Sequence, residues 1–397
     1  FRDGPAGTGG LTRAQAARLL QQASFGPTLR EIGRVQQLGI AGWIGDQITN
    51  QPASLHRPYM EQIYADYFGP RTDLTYSYAE ESQVIRGQNG PTPFARGAVQ
   101  GPDQLRQRVA FALSQICVTS RRDPALENKP LAMMDYYDIF VRHAFGNYAD
   151  VLREVTWHPV MGRYLSHIGN QRARPEISQF PDENFAREVQ QLFSIGLWEL
   201  NPDGTRRLDL LGQPIPTYGT KHVTEFARVF TGLWLGGQRW GSGGWTDDDY
   251  AVPMQLWVEK HDFGAKELLR GVVIPARAPT VANGRRDIED ALRCLFEHPN
   301  CGPFIGRQLI QFLVTSNPTT GYVARVAAVF ADNGAGVRGD LGAVVQAILL
   351  DEEARDARYH LGSPRFGRLK EPVQRTMALA RLARLDRHAN LLWWDWG

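Results

Sequence analysis

Apolar residues recur at every third or fourth position along most of this chain, and this periodicity restricts the fold more than any other sequence feature. The first two periodic segments, 11–23 and 29–38, start at capping-box pairs, Thr12 with Gln15 and Thr28 with Glu31. No stretch alternates apolar and polar residues for long enough to require a large sheet. Further helices are predicted over residues 104–118, 131–143, 149–155, 182–195, 222–233, 287–296, 303–314, 321–331, 340–350 and 371–385.

The pattern predicts a mainly α fold, with a single large multi-helix domain, long ordered loops and at most a small β-hairpin. The Gly-rich residues 1–10 are expected to form a flexible N-terminal segment. Residues 11–385 are expected to form the helical domain, interrupted by an aromatic and Gly-rich loop insertion at about 235–284. Residues 386–397 are then left as a C-terminal tail.

Composition excludes several classes of protein. The chain has 397 residues, of which 43% are hydrophobic, and this supports a sizeable core. A net charge of +2 argues against a dedicated nucleic-acid binder, and no apolar run is long enough for a membrane span. The first ten residues lack the apolar region of a signal peptide. Phosphate-binding, dinucleotide-binding and HExxH motifs are absent, so we expect no cofactor and no metal.

The densest polar cluster is Pro181-Asp-Glu-Asn-Phe-Ala-Arg-Glu188. Helical geometry puts Glu183 and Arg187 on one face, and Asn184 and Glu188 on another. Glu183 and Glu188 lie about 140° apart around the axis, so a catalytic carboxylate pair needs a member from another segment. The alternative interpretation is a capped first turn with two ion pairs on a solvated face.

A second cluster, His261 next to Asp262, offers an imidazole and a carboxylate on a loop before a predicted helix. One of these residues is a general acid or base, or a metal ligand; the alternative is that Asp262 caps that helix and His261 simply packs. Arg307 lies in an otherwise apolar helix. A buried arginine needs a partner, so we expect it to pair with an acid such as Glu183 or Glu188, or to clamp an anionic substrate.

Tryptophans are concentrated around the Gly-rich loop, including Trp240, Trp245 and Trp257. Indole faces beside carboxylates are typical of sugar-binding clefts, because rings stack on the apolar faces of sugars. The alternative is an aromatic mini-core under a long loop. Cys294 and Cys301 flank a Pro-Asn turn, and their spacing allows either a disulfide or two free thiols.

Several segments together resemble one bacterial family, called domain of unknown function 1800. Asp182-Glu-Asn-Phe-Ala-Arg-Glu-Val189 is similar to its hallmark Asn-Glu-Asn-Tyr-Ala-Arg-Glu-Leu. Supporting similarities extend over about residues 11–385 and include the motifs at 17–26, 225–232, 261–266, 298–304, 307–310, 349–355 and 370–372.

The resemblance implies a mostly helical, exported bacterial protein, often encoded beside an exported family related to sulfatases, which is a candidate partner. Export favours the Cys294–Cys301 disulfide. Many members carry Trp-His-Asn-His where this chain has Leu113-Ser-Gln-Ile116, and Leu-His-Thr-Leu-Gly where it has Leu192-Phe-Ser-Ile-Gly196. If those histidines bind a metal elsewhere in the family, this chain lacks the ligands.

The leading hypothesis is an exported acid–base hydrolase that acts on a carbohydrate or similar polyhydroxylated polymer. Glu183 and Asp262 are its predicted carboxylates, with His261 and Glu188 as further catalytic residues. The predicted substrate-binding residues are Asn184, Arg187, Arg307, Trp240, Trp245 and Trp257. The alternative is a non-catalytic secreted scaffold that binds a partner protein or glycan through its tryptophan-rich loops. A redox or metal-dependent enzyme is a further alternative.

Overall fold

The computed structural model describes residues 10–69, 92–243 and 248–383, and in this part of the chain the fold is mainly α, as predicted. The N-terminal helices are α1 (Arg13–Ala23), α2 (Leu29–Thr49), α3 (Arg57–Phe68), α4 (Thr92–Gln100), α5 (Gln104–Ile116), α6 (Pro130–His143), α7 (Tyr148–Trp157) and α8 (Pro159–Tyr164). The C-terminal helices are α9 (Asn184–Gln191), α10 (Thr220–Val229), α11 (Val281–Glu297), α12 (Cys301–Leu313), α13 (Thr320–Ala331), α14 (Leu341–Leu350), α15 (Glu352–Arg355), α16 (Ala357–Gly362) and α17 (Pro372–Leu382).

Two short antiparallel ladders lie between α10 and α11. Strand β1 (Leu233–Trp234) pairs with β2 (Gln255–Leu256), and β3 (Lys266–Glu267) pairs with β4 (Val273–Ile274). Each strand has only two residues, so these ladders shape the loop insertion but contribute little core. The predicted N-terminal segment 1–10 and tail 386–397 fall almost wholly outside the described residues.

The helix starts follow the side-chain signals in the sequence. At Thr12 the full capping box forms with Gln15. At Thr28 the hydroxyl accepts from the Glu31 backbone N–H, while the Glu31 carboxylate instead accepts a 3.2 Å hydrogen bond from Trp43 Nε1. The second capping box is therefore only half formed, because the Glu31 carboxylate is bonded to the buried indole of Trp43.

One apolar cluster runs from Ala16 to Ala354 and includes residues of most long helices. Glycines allow close approach at the α12–α13 contact, where a Cβ on Gly306 would meet Val326 at 3.1 Å. The loop insertion is attached to this core through a 2.8 Å hydrogen bond from Met254 N to Trp157 O. This bond places the insertion against the C-terminal end of α7. No helix in the described ranges is long and apolar enough to cross a membrane.

The helix predicted over 182–195 is shorter than expected. It ends at Gln191, because the N–H groups of Ile195 and Gly196 both bond to the Gln190 carbonyl and Gly196 has a φ of 72°. This closing geometry requires a residue that tolerates positive φ.

The predicted Cys294–Cys301 disulfide is wrong in this structure, since both residues are free thiols. Cys294 Sγ lies 3.9 Å from the Leu269 carbonyl. Cys301 is fully buried at the start of α12, and burial raises the pKa of its thiol to about 12. The two thiols therefore lie in different surroundings, and the intervening turn does not bring them together.

Candidate functional site

The acidic stretch at 182–188 forms the start of α9, with Glu183 at the N-cap position. Glu183 Oε2 lies 3.3 Å from Arg187 Nη2, and Oε1 accepts a 2.8 Å hydrogen bond from the Thr224 hydroxyl on α10. The Glu183 side chain is 36% exposed. The i,i+4 pair expected from the spacing therefore forms, as a solvated pair of the kind that contributes little free energy.

The other predicted residues of this helix are also at the surface. Asn184 is exposed, and its backbone N–H donates to Asp182 Oδ1 at 2.8 Å. Glu188 is partly buried, and burial raises its pKa against the opposing effect of Arg187.

Asp262 lies close to α10, the helix that carries Thr224. Its two oxygens accept hydrogen bonds of 2.8 and 3.1 Å from Nε and Nη2 of Arg228. Burial alone would raise the pKa of Asp262, but this bidentate pair and the Gly264 N–H hold it below its usual value. Because Thr224 and Arg228 are four residues apart on α10, the two predicted catalytic carboxylates, Glu183 and Asp262, contact neighbouring positions of one helix face.

His261 is completely buried and belongs to a separate ionic network. Its Nδ1 lies 2.8 Å from the Thr231 carbonyl and its Nε2 lies 3.4 Å from Asp287 Oδ2, so both ring nitrogens face an acceptor. Lys266 Nζ is 2.8 Å from the same oxygen, and Arg277 binds the other oxygen of Asp287. Burial favours protonation of Asp287, but His261 and Lys266 hold its pKa below the usual value.

These contacts favour structural roles for His261 and Asp262, because every polar atom of the imidazole and the carboxylate is bonded to the protein.

The pairing expected for Arg307 is wrong. Arg307 is exposed on α12, and no hydrogen bond or ion pair to Glu183 or Glu188 is found in the described structure. Its helix is apolar on the face that packs, and the arginine lies on the opposite face.

The predicted aromatic surface is a cluster in which the rings pack on each other. The Trp240 ring centroid lies 5.2 Å from that of Trp234 and 6.2 Å from that of Trp257. Lys260 Nζ lies 5.5 Å from the centre of the Trp240 ring. Trp245 lies outside the described residues. This ring-on-ring packing is what an aromatic mini-core predicts, and all three indoles remain partly exposed.

A pocket that the sequence reasoning did not identify lies between α6, α7 and the loop insertion. It is a cavity of about 410 Å³, within the usual range of ligand sites. The polar and aromatic residues that line it are Asp135, Arg142, Arg153, Glu154, Trp157, His158 and Tyr250. We call it the Asp135 pocket.

Only one oxygen of the Asp135 carboxylate is bonded to other described residues. His158 Nε2 and Arg57 Nη1 both approach Oδ2 at 3.3 Å, and Oδ1 has no hydrogen-bond partner in the described structure. Burial would raise the pKa of Asp135, but these two partners hold it below the usual value. The pocket therefore contains an ionised carboxylate with one oxygen available to a ligand.

Glu154 is the second acid of the pocket, and both its oxygens are occupied. His143 Nε2 lies 2.7 Å from Oε1, and Arg142 Nη2 lies 2.6 Å from Oε2. Although burial favours protonation, these contacts lower the pKa of Glu154 to about 2. Both pocket carboxylates are thus charged at neutral pH.

The sequence does contain signals for this pocket. Asp135 interrupts an apolar helix, and Trp157-His158 precede a helix-starting proline. Sequence spacing cannot connect these signals, because the two segments meet only through the packing of α6 on α7.

A larger cavity of about 760 Å³ lies beside α2, α4 and α17. None of the described residues that line it is aromatic, and the one carboxylate among them, Glu31, is bonded to Trp43. The Asp135 pocket is therefore the better candidate for ligand recognition. Among the described residues no group of three or more His, Cys, Asp or Glu side chains is arranged to hold a metal ion.

Comparison with known proteins identifies one family and no closer relative. No curated protein and no solved structure matches the chain. The family described as "Protein of unknown function (DUF1800)" matches residues 18–394, nearly the whole length. The motifs of that resemblance meet in space, with Glu183 bonded through Thr224 to α10 and Arg228 bonded to Asp262. The chain belongs to the DUF1800 family.

Proposed function

We propose that this protein binds a saccharide, or a similarly polyhydroxylated ligand, in the Asp135 pocket. The observation that carries the proposal is the free Oδ1 of an ionised Asp135 in the same cavity as the Trp157 ring. A carboxylate oxygen accepts hydrogen bonds from sugar hydroxyls, and an indole face packs against the C–H groups of a sugar ring. Arg142 and Arg153, each about half exposed, supply further donors at the rim.

The same geometry favours binding over hydrolysis. Acid–base cleavage of a glycosidic bond needs one protonated carboxyl group beside one ionised carboxylate. The pKa values of Asp135 and Glu154 are both lowered, so neither is a proton donor at neutral pH. Asp262 is likewise ionised and held by Arg228. Binding therefore fits the two carboxylates of this pocket better than hydrolysis does.

Isothermal titration calorimetry against a panel of mono- and oligosaccharides tests the proposal. Trp157→Ala should weaken binding by about tenfold or more, since loss of one aromatic contact costs on the order of 1 kcal/mol. Trp240→Ala, the same change in the aromatic cluster, should leave affinity within about twofold. Asp135→Asn should weaken binding while the thermal midpoint stays close to that of the parent.

If Trp240→Ala lost binding and Trp157→Ala retained it, the binding site would instead be the aromatic cluster. No binding to any saccharide would overturn the proposal. Product analysis of the same mixtures separates binding from catalysis, because release of reducing ends by the parent protein would favour the hydrolase.

Location outside the cytoplasm and docking to a sulfatase-related exported protein remain proposals that rest on the family resemblance alone. Cell fractionation of a native host, with antibody detection of this chain, tests the first. Co-purification from the exported fraction tests the second.

A further inference from the structure

Three cationic side chains gather where the C-terminal end of α12 meets the N-terminal end of α17. Arg108 of α5 and Arg368 both donate to the Phe312 carbonyl, one of the last carbonyls of α12. Lys370 lies two residues after Arg368, and α17 begins at Pro372. We call Arg108, Arg368 and Lys370 the cation cluster.

The cation cluster is poorly neutralised. The only carboxylate bonded to it within the described ranges is Glu371, whose Oε1 lies 2.9 Å from Arg368 Nη2. Arg108 is 3% exposed, so its charge is shielded from bulk water. Burial, and then repulsion by Arg368, lower the pKa of Arg108 to about 9. Burial and both arginines lower the pKa of Lys370 in the same way.

Buried polar atoms without partners occur on Arg108 itself and on one side chain each of α6 and α17. Among the described residues, no hydrogen-bond partner is found for buried Arg108 Nη1, the Tyr137 hydroxyl, or Nε2 and Oε1 of Gln374. Arg108 lies near enough to Tyr137 to affect the pKa of its hydroxyl, which burial raises. Gln374 is 3% exposed in the first turn of α17. A buried donor without a partner is destabilising, so a native structure seldom leaves several unpaired.

Helix capping does not account for the cluster. The C-terminal end of a helix carries about half a negative charge, and one guanidinium is sufficient to balance it. Here two guanidinium groups share one carbonyl and a lysine adds a third positive charge, against one glutamate. Capping also leaves the Tyr137 and Gln374 donors without any partner.

We propose that the cation cluster, with Tyr137 and Gln374, binds an oxyanion, the group shared by phosphate, sulfate and carboxylate ligands. Arg108 Nη1 and the Lys370 ammonium would donate charge-assisted hydrogen bonds directly to the anion. The first turn of α17 would add favourable electrostatics, since helix N-termini attract anions. This proposal does not depend on the saccharide proposal, because it involves none of the residues of the Asp135 pocket.

Calorimetric titration of inorganic phosphate, sulfate and acetate at constant sodium chloride tests the proposal. The parent protein should bind at least one of them at a single site. Lys370→Met, which removes the charge and keeps the chain length, should weaken that binding about tenfold or more. Arg307→Met, the same kind of change at an exposed arginine of α12, should leave affinity within about twofold.

Thermal unfolding provides a second readout. Without added oxyanion, Lys370→Met should unfold at the same or a higher midpoint than the parent, because a like charge has been removed. With saturating oxyanion the parent should gain stability and the variant should not. Arg108→Met should behave like Lys370→Met if it folds. Titration of phenyl phosphate then identifies the source of the group: binding indicates a phosphorylated organic ligand, and exclusion indicates a free ion.

Absence of binding by the parent to all three anions would overturn the proposal. So would equal anion affinity in the parent and in Lys370→Met. A lower midpoint of Lys370→Met in the absence of oxyanions would also contradict it, since that result would mean that the cations already have partners within the protein.

Discussion

At the scale of single residues, exposure to water decides what an ion pair contributes to this protein. Lys221 and Glu267 form a 2.5 Å pair in which both side chains are more than half exposed. Lys266 and Asp287, by contrast, have no exposed side-chain surface. A surface pair is screened by solvent, whereas removing Lys266 leaves the buried charge of Asp287 with only Arg277 and His261 as partners among the described residues.

Lys266→Met should therefore be strongly destabilising. It removes a cation from Asp287 and also frees the carbonyls of Asp262 and Gly264, which accept hydrogen bonds from Nζ. We expect a loss of about 3 kcal/mol in the free energy of unfolding, measured by urea titration. Lys221→Met is the matched control and should scarcely change the urea midpoint. Similar losses in the two variants would contradict the assigned roles.

At the scale of elements, the turn between α10 and β1 determines where the loop insertion starts. Gly232 has a φ of 80°, and its N–H donates to the Asn170 carbonyl at 2.8 Å. A Cβ at this position would lie 2.8 Å from the Trp257 carbonyl and 2.9 Å from the His261 nitrogen. The turn thus holds β1 against the loop that carries His261 and Asp262.

Gly232→Ala should cost more than about 2 kcal/mol of unfolding free energy, because left-handed strain is added to steric overlap with that loop. Gly237→Ala provides the comparison, since it has a φ of 73° and no atom within 4 Å of the added Cβ. It should lose only the strain, about 1–2 kcal/mol. Chemical denaturation of both variants measures the difference. An equal loss in both variants would mean that the contact with the loop at 257–261 does not contribute to the free energy of unfolding.

At the scale of the whole molecule, the three cysteines report on the unfolding of different regions. Cys117 and Cys301 are fully buried, and burial raises the pKa of each thiol to about 12. Cys294 is partly exposed, and burial raises its pKa to about 11. A thiol reacts as its thiolate, so access and pKa both favour Cys294.

Alkylation of the native protein should therefore modify Cys294 first, and Cys117 and Cys301 only as the molecule unfolds. Mass spectrometry of the protein under non-reducing conditions should find three alkylated cysteines after denaturation. A peptide that links Cys294 to Cys301 would contradict the free thiols. Adding denaturant below the unfolding transition should increase labelling of Cys294 only.

Local patterns were sufficient for the helices but not for their ends or for the site. Thr12 with Gln15 and the apolar spacing after it predict α1, because a cap and a helical face depend on neighbours within four residues. The end of α9 at Gln191 depends on backbone bonds to Gln190 that its sequence pattern does not encode. The ladder of β3 and β4 is too short to produce an alternating pattern.

The sequence by itself therefore determined the mainly α fold and the family, because periodicity, caps and ordered motifs are properties of the chain read in one dimension. Only the tertiary structure decided which polar groups are available to a ligand. It buried His261 on Asp287 and joined Asp262 to Arg228, and it left one oxygen of Asp135 free in the pocket that Trp157 also lines. Availability depends on which side chains pack together from distant segments, and no local pattern records that packing.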